Sequence, residues 1–256
     1  MWEFSINLGS ENAELAKYIY RSLSGVVEEL KGVITSYETA GKISILVACS
    51  TMERPRLEYH INLTLSNAIC TFFKQKFLEK HLSLPQKEGL EIFAFKKALI
   101  FFDRETDRFL VAKFLVLDKS IELESFFHFR LRALQEKWTE LASIANENAS
   151  YLLGEESFVE LLKFLIDNID FETDEIFVRI DDNISLLDRD GNLKNSPQNF
   201  SRQDLVEFLL TNSPRKIYWK ATKADEFLEK IFSKRIVYRG CITGGEKAGK
   251  ARQPLS

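Results

Sequence analysis

The strongest constraint on how this chain folds is a run of apolar residues, Phe127, Leu131, Leu134, Trp138, Leu141, Ala145, Ala149 and Leu152, separated by steps of four and three. That spacing keeps one side of an α-helix apolar along its whole length, and such a side must be buried against other elements. The run predicts a long helix over 127–152 in a bundle-like middle section, closed by Gly154. Ser157 then reads as the cap of a following helix carrying Phe158, Leu161, Leu162, Leu165, Ile166 and Ile169.

The N-terminal third changes period. Trp2, Phe4, Ile6 and Leu8 alternate with Glu3, Ser5 and Asn7, the pattern of a strand buried on one face, and Gly9 ends it. Ser10 is read as an N-cap with Glu11 and Glu14 in the first turn, ahead of Leu15, Ile19, Leu23, Val26 and Leu30 at helical spacing. Gly32 stops that helix. Strands over 33–38 and 42–49, joined through Thr39-Ala40-Gly41, complete a β-α-β-β unit. Ser50, Thr51 and Glu53 supply start signals for another helix, with Pro55 tolerated in its first turn. Its stripe is Leu57, Ile61, Leu65, Ala68 and Phe72, widened by Ile69, Phe73 and Phe77, and it ends near Leu84-Pro85.

Residues 88–120 have strand propensity in Ile92–Phe95 and Phe109–Ala112, yet neither stretch alternates. Two helices joined by Asp103–Arg108 fit them better. In the last third, 176–180 and 184–187 read as strands, with a turn at Asp190-Gly191-Asn192 placing one or two hairpins within 176–194. A helix over 201–211 follows, then strand, helix and strand over 215–222, 223–234 and 235–241. The last three make a βαβ unit whose crossover is long enough for parallel strands. The fold class is therefore α+β: an N-terminal β-α-β-β unit, a long-helix middle section, and a C-terminal hairpin plus α-β-α-β unit. The regions run over 1–85, 86–172 and 173–241, with a flexible tail over 242–256, and they are compatible with one integrated domain.

With 45% hydrophobic and 29% charged residues the 256-residue chain has the balance of a folded protein, and its 21 phenylalanines fall beside aliphatic residues as core packing does. The 35 basic and 38 acidic residues are interspersed, for a net charge of −3, so no field draws nucleic acid or an anionic membrane. Met1-Trp2-Glu3-Phe4 lacks a secretory pattern and no apolar run approaches the length of a membrane span, which leads to a cytoplasmic expectation. Cys49, Cys70 and Cys241 are read as reduced thiols.

Local motifs favour plain readings. Gly244-Gly245-Glu246-Lys247-Ala248-Gly249-Lys250 has phosphate-loop spacing, but Ala251 stands where Ser or Thr would bind magnesium and no helix follows. Asp188–Asn192 resembles part of a calcium loop, yet Asn199 occupies the bidentate twelfth position. His60, His81 and His128 have no metal-ligand spacing. No catalytic motif, cofactor site or metal site is read from the sequence. One segment offers a functional surface: in Phe126-Phe127-His128-Phe129-Arg130-Leu131-Arg132, Phe127 and Leu131 face the core, leaving His128, Arg130 and Arg132 for an interaction surface.

That segment resembles the "GF-x-x-F-R-L" block of the YtxC-like sporulation family, with Phe126 in place of the usual glycine. Ser213-Pro214-Arg215-Lys216-Ile217-Tyr218 and Phe232–Cys241 are similar to that family's "P-x-K-I-Y … R-V … C" ending. The resemblance covers 126–241 and implies a sporulation-associated protein of a Gram-positive (Firmicutes) spore former, with no activity or cofactor to carry over. The leading expectation is a non-enzymatic cytoplasmic protein acting through protein contacts. An enzyme or small-ligand binder with a pocket between the helical middle and the sheets is the second reading, and a nucleic-acid binder the third.

Overall fold

The computed structural model describes residues 1–84, 89–152, 155–180, 184–190, 200–221 and 225–238. The phosphate-loop-like segment, Cys241 and the tail lie outside them, as do Pro85, Gly154, Gly191 and Asn192. The chain divides into two compact units, Met1–Lys87 with Phe95–Leu153, and Glu88–Ala94 with Gly154–Ser256. The fold is α+β.

In the first unit, β1 (Trp2–Gly9) pairs antiparallel with β3 (Lys42–Cys49), which pairs antiparallel with β2 (Val33–Thr39). The sheet order is β2-β3-β1-β4, and β4 (Ser120–Glu122) runs parallel to β1. This short strand has no signal in the sequence, because three residues carry no period. Phe4, Ile6, Leu8, Ile45 and Val47 are buried on one face beneath α1 (Ala13–Glu29) and α2 (Arg54–Ala68). The hairpin turns through Ala40 and Gly41, both at positive φ, as a two-residue turn that follows the strand twist requires.

Helix starts depart from the predicted caps. Ser10–Asn12 is a 3-10 turn and α1 begins at Ala13. The donors there are met from afar: Glu124 accepts from the Gly9 N–H at 3.0 Å and from Asn12 Nδ2 at 2.6 Å. Helix α2 starts at Arg54 without a side-chain cap from Ser50 or Thr51. At the end of α1, Lys31 takes the positive φ and Gly32 makes the close approach, since a Cβ on Gly32 would lie 2.4 Å from the Ala48 carbonyl oxygen.

Helix α2 continues through a π-helical turn, Ile69–Phe73, into α3 (Lys74–His81), which ends at His81, earlier than predicted. Residues 90–114 form two helices, α4 (Leu90–Phe101) and α5 (Arg104–Phe114). Their connection is Phe102 and Asp103 alone, with Asp103 at φ 54°, so the predicted link over 103–108 is mostly helix. The long helix over 127–152 is interrupted: α6 (Leu123–Arg130) and α7 (Arg132–Leu152) meet at Leu131.

In the second unit, α8 (Glu155–Asn168) begins before Ser157, so that residue lies inside the helix rather than capping it. Strand β5 (Thr173–Ile180) pairs antiparallel with β6 (Ile184–Leu187) and parallel with β7 (Pro214–Ala221), which pairs parallel with β8 (Ile236–Tyr238). Helix α9 (Arg202–Asn212) starts with a capping box between Ser201 and Asp204. Helix α10 (Glu226–Phe232) is capped by Asp225 and bridges β7 to β8, giving the predicted βαβ unit. The N- and C-terminal strands belong to separate sheets.

Candidate interaction surface and buried charge centre

The Phe126–Arg132 segment sits where α6 gives way to α7. Phe126, Phe127 and Leu131 are buried, and the backbone leaves helical geometry at Leu131 (φ −108°, ψ 33°). Gln135 Nε2 donates to the Phe127 carbonyl at 2.7 Å, satisfying an oxygen that the break leaves unbonded. Phe127 is held by Phe73 (5.0 Å between ring centroids) and Trp138 (5.7 Å). On this base His128, Phe129, Arg130 and Arg132 face solvent, with Phe129 69% exposed. Among the described residues neither Arg130 nor Arg132 enters an ion pair. Arg130 lies in the last turn of α6, where its positive charge complements the free carbonyls of the helix end. The three residues singled out in the sequence, His128, Arg130 and Arg132, are exposed at this junction, as is Phe129.

A second cluster was missed in the sequence. The inward residues of α2 run in steps of four, Leu57, Ile61 and Leu65, and the π turn then moves that stripe forward by one position. Ile69 and Cys70 are both fully buried within the turn, and beyond it the deeply buried residues are Lys74 and Leu78, in steps of four from Cys70. Lys74 is brought inside in this way. Its Nζ donates to Asp107 Oδ2 at 2.7 Å and to the Phe102 carbonyl at 2.7 Å. Asp107, from α5, also accepts from Trp138 Nε1 at 2.9 Å and Lys137 Nζ at 2.8 Å, both on α7. Lys137 reaches Asp103 as well, and Thr106 Oγ1 donates to Asp103 at 2.6 Å.

Burial lowers the Lys74 amine below its ordinary value, against the opposing pull of Asp107. Hydrogen bonds from Lys137 and Thr106 hold Asp103 below the usual carboxylate value. Lys137 is raised: burial works against its charge, but its bonds to Asp103 and Asp107 together outweigh that. Burial, reinforced by the Asp107 charge, pushes the Cys70 thiol up to about 12. A pocket of about 150 Å³ adjoins the centre, lined by Lys74, Phe102, Asp107, Lys137, Leu141 and Ile144. Both Asp107 oxygens and the Lys74 amine are already bonded within the protein, so the centre acts as a brace joining α3, α5 and α7.

The "P-x-K-I-Y … R" residues of the second unit also bear on packing. Arg235 is buried and donates to Ser213 Oγ at 3.2 Å, the Pro214 carbonyl at 3.2 Å and the Ile166 carbonyl, with its guanidinium 4.9 Å from the Phe171 ring centroid. It ties the end of α8 to the start of β7.

Among the described residues no group of three or more His, Cys, Asp or Glu is placed to hold a metal ion, and no helix is long and apolar enough to cross a membrane. Comparison with protein-family models, curated proteins and solved structures gives no match.

Proposed function

We propose that this chain is a cytoplasmic, sporulation-associated protein that acts through a protein contact at the α6–α7 junction. The observation that carries the reading is Phe129. A large ring left 69% exposed, on a backbone fixed by buried neighbours, beside the polar His128 and with the cations Arg130 and Arg132 close by in the chain, has the make-up of an aromatic anchor within a polar, partly cationic rim. The partner segment it suits carries an apolar residue among carboxylates. The resemblance of the surrounding blocks to the YtxC-like family supports the sporulation setting.

The test uses an endospore-forming bacterium that carries the gene. Deletion should lower the yield of heat-resistant spores and the wild-type gene should restore it. A Phe129→Ala/Arg130→Glu/Arg132→Glu variant should fold, lose its co-purifying partner and fail to restore the yield. Full complementation by that variant, or a deletion without effect, refutes the proposal. Salt-sensitive retention of DNA by the wild type alone would assign the face to nucleic acid instead.

A further inference from the structure

The outer edge of β2 has no strand against it among the described residues. Proteins commonly protect such an edge with charged residues, above all lysine, with proline, a bulge or a very short strand. Strand β2 is seven residues long, Val-Ile-Thr-Ser-Tyr-Glu-Thr, with no lysine, proline or bulge; Glu38, near its end, is its one charge, and Val33 and Tyr37 are 64% and 54% exposed.

Its hydrogen-bonding sense follows from the hairpin. A two-residue turn makes Thr39 and Lys42 a hydrogen-bonded pair, and pairs of the two kinds alternate along an antiparallel ladder. Residues 33, 35, 37 and 39 therefore bond to β3, while Ile34, Ser36 and Glu38 direct their N–H and C=O groups outward. Through their register partners Val47, Ile45 and Ile43, these same three residues lie on the helix-covered face. Beside them runs a groove of about 310 Å³ between β2 and α1, bordered by Ala13, Ala16, Lys17 and Arg21 on the helix and Ser36 and Glu38 on the strand.

We propose that this edge is a homodimer interface in which β2 of a second copy adds antiparallel about Ser36, making one eight-stranded sheet. The occupant is argued from self-complementarity. With Ser36 opposite Ser36, Thr35 meets Tyr37 and Val33 meets Thr39, both of them favourable cross-strand pairs, and Glu38 meets Ile34 instead of a second Glu38. Ile34 of the second copy then lies beside Glu38, where Ala13 and Ala16 leave the groove room for a branched apolar side chain. The contact is isologous and closes on itself. It is independent of the α6–α7 reading.

Sedimentation equilibrium of the full chain at micromolar concentration should give twice the chain mass. Ser36→Pro removes an outward N–H while leaving the bonds to β3 intact, and Thr35→Lys/Tyr37→Lys sets lysines opposite one another across the axis. Each should weaken the dimer roughly tenfold or more, with the circular dichroism spectrum unchanged. In a Cys241→Ser background, Ser36→Cys should crosslink two copies on mild oxidation, because facing Cα atoms in such a pair are about 5.5 Å apart, whereas Thr39→Cys should not. A monomer, a dimer indifferent to both edge variants, or equal crosslinking at 36 and 39 overturns the proposal.

Discussion

Lys74 and Asp107 form an ion pair at 2.7 Å in which the side chains are 1% and 0% exposed. Removing one partner from such a pair costs about 3–5 kcal/mol, because the other is left charged without water. The two partners are not equivalent here. Asp107 keeps Lys137 and Trp138 when Lys74 is lost, whereas Lys74 keeps the Phe102 carbonyl as its one hydrogen-bond acceptor, beside the Trp138 ring, when Asp107 is lost. Urea unfolding should therefore rank Asp107→Leu as the more damaging single change and Lys74→Met as the milder one. The double variant should be more stable than Asp107→Leu alone, and simple additivity would contradict the brace.

Cys70 shares that interior, with its thiol pushed up to about 12. The thiolate is the reactive form, so alkylation near neutral pH should leave Cys70 unmodified in the folded protein and modify it once urea unfolds the chain. Site-resolved mass spectrometry reads the result.

Asp103 has a lowered folded pKa, so its stabilisation is present above the unfolded value of about 3.9 and is lost as pH falls through the lower folded value. The stability gap between wild type and Asp103→Asn should shrink as urea midpoints are followed downward through that range. Lys137 has the opposite sense. Its raised pKa gives stabilisation that is complete below the unfolded value of about 10.4 and fades as pH rises through the folded one.

At the α1–β2 junction, Gly32→Ala places a Cβ against the Ala48 carbonyl and should destabilise the fold by about 1–3 kcal/mol. Lys31→Gly relieves a left-handed residue at φ 53° and should stabilise it by up to about 1 kcal/mol. Thermal unfolding of the two variants should move in opposite directions.

Arg235→Met should unsatisfy the carbonyls of Ile166 and Pro214 and cost at least about 1–3 kcal/mol. Arg235→Lys should not recover it, since an ammonium lacks the planar fork that reaches several acceptors at once. Hydrogen exchange should show lost protection around Ile217, whose N–H bonds to the Arg235 carbonyl.

Period and turn chemistry in the sequence were enough to define the α+β class, strands β1 to β3, the two helices within 90–114 and the C-terminal βαβ unit, because each is a local repeat of apolar residues bounded by its own punctuation. The exposure of His128, Arg130 and Arg132 could be read in the same way, from buried neighbours at helical spacing. Tertiary structure decided what local spacing does not encode. Glu124, distant in sequence, accepts from the Gly9 N–H and the Asn12 side chain where the sequence predicts a Ser10 cap, and the long apolar run is divided at Leu131 into two helices. A single π turn rotates Lys74 inward to meet Asp107, so its burial depends on a change of helical register and on a carboxylate brought up by another helix.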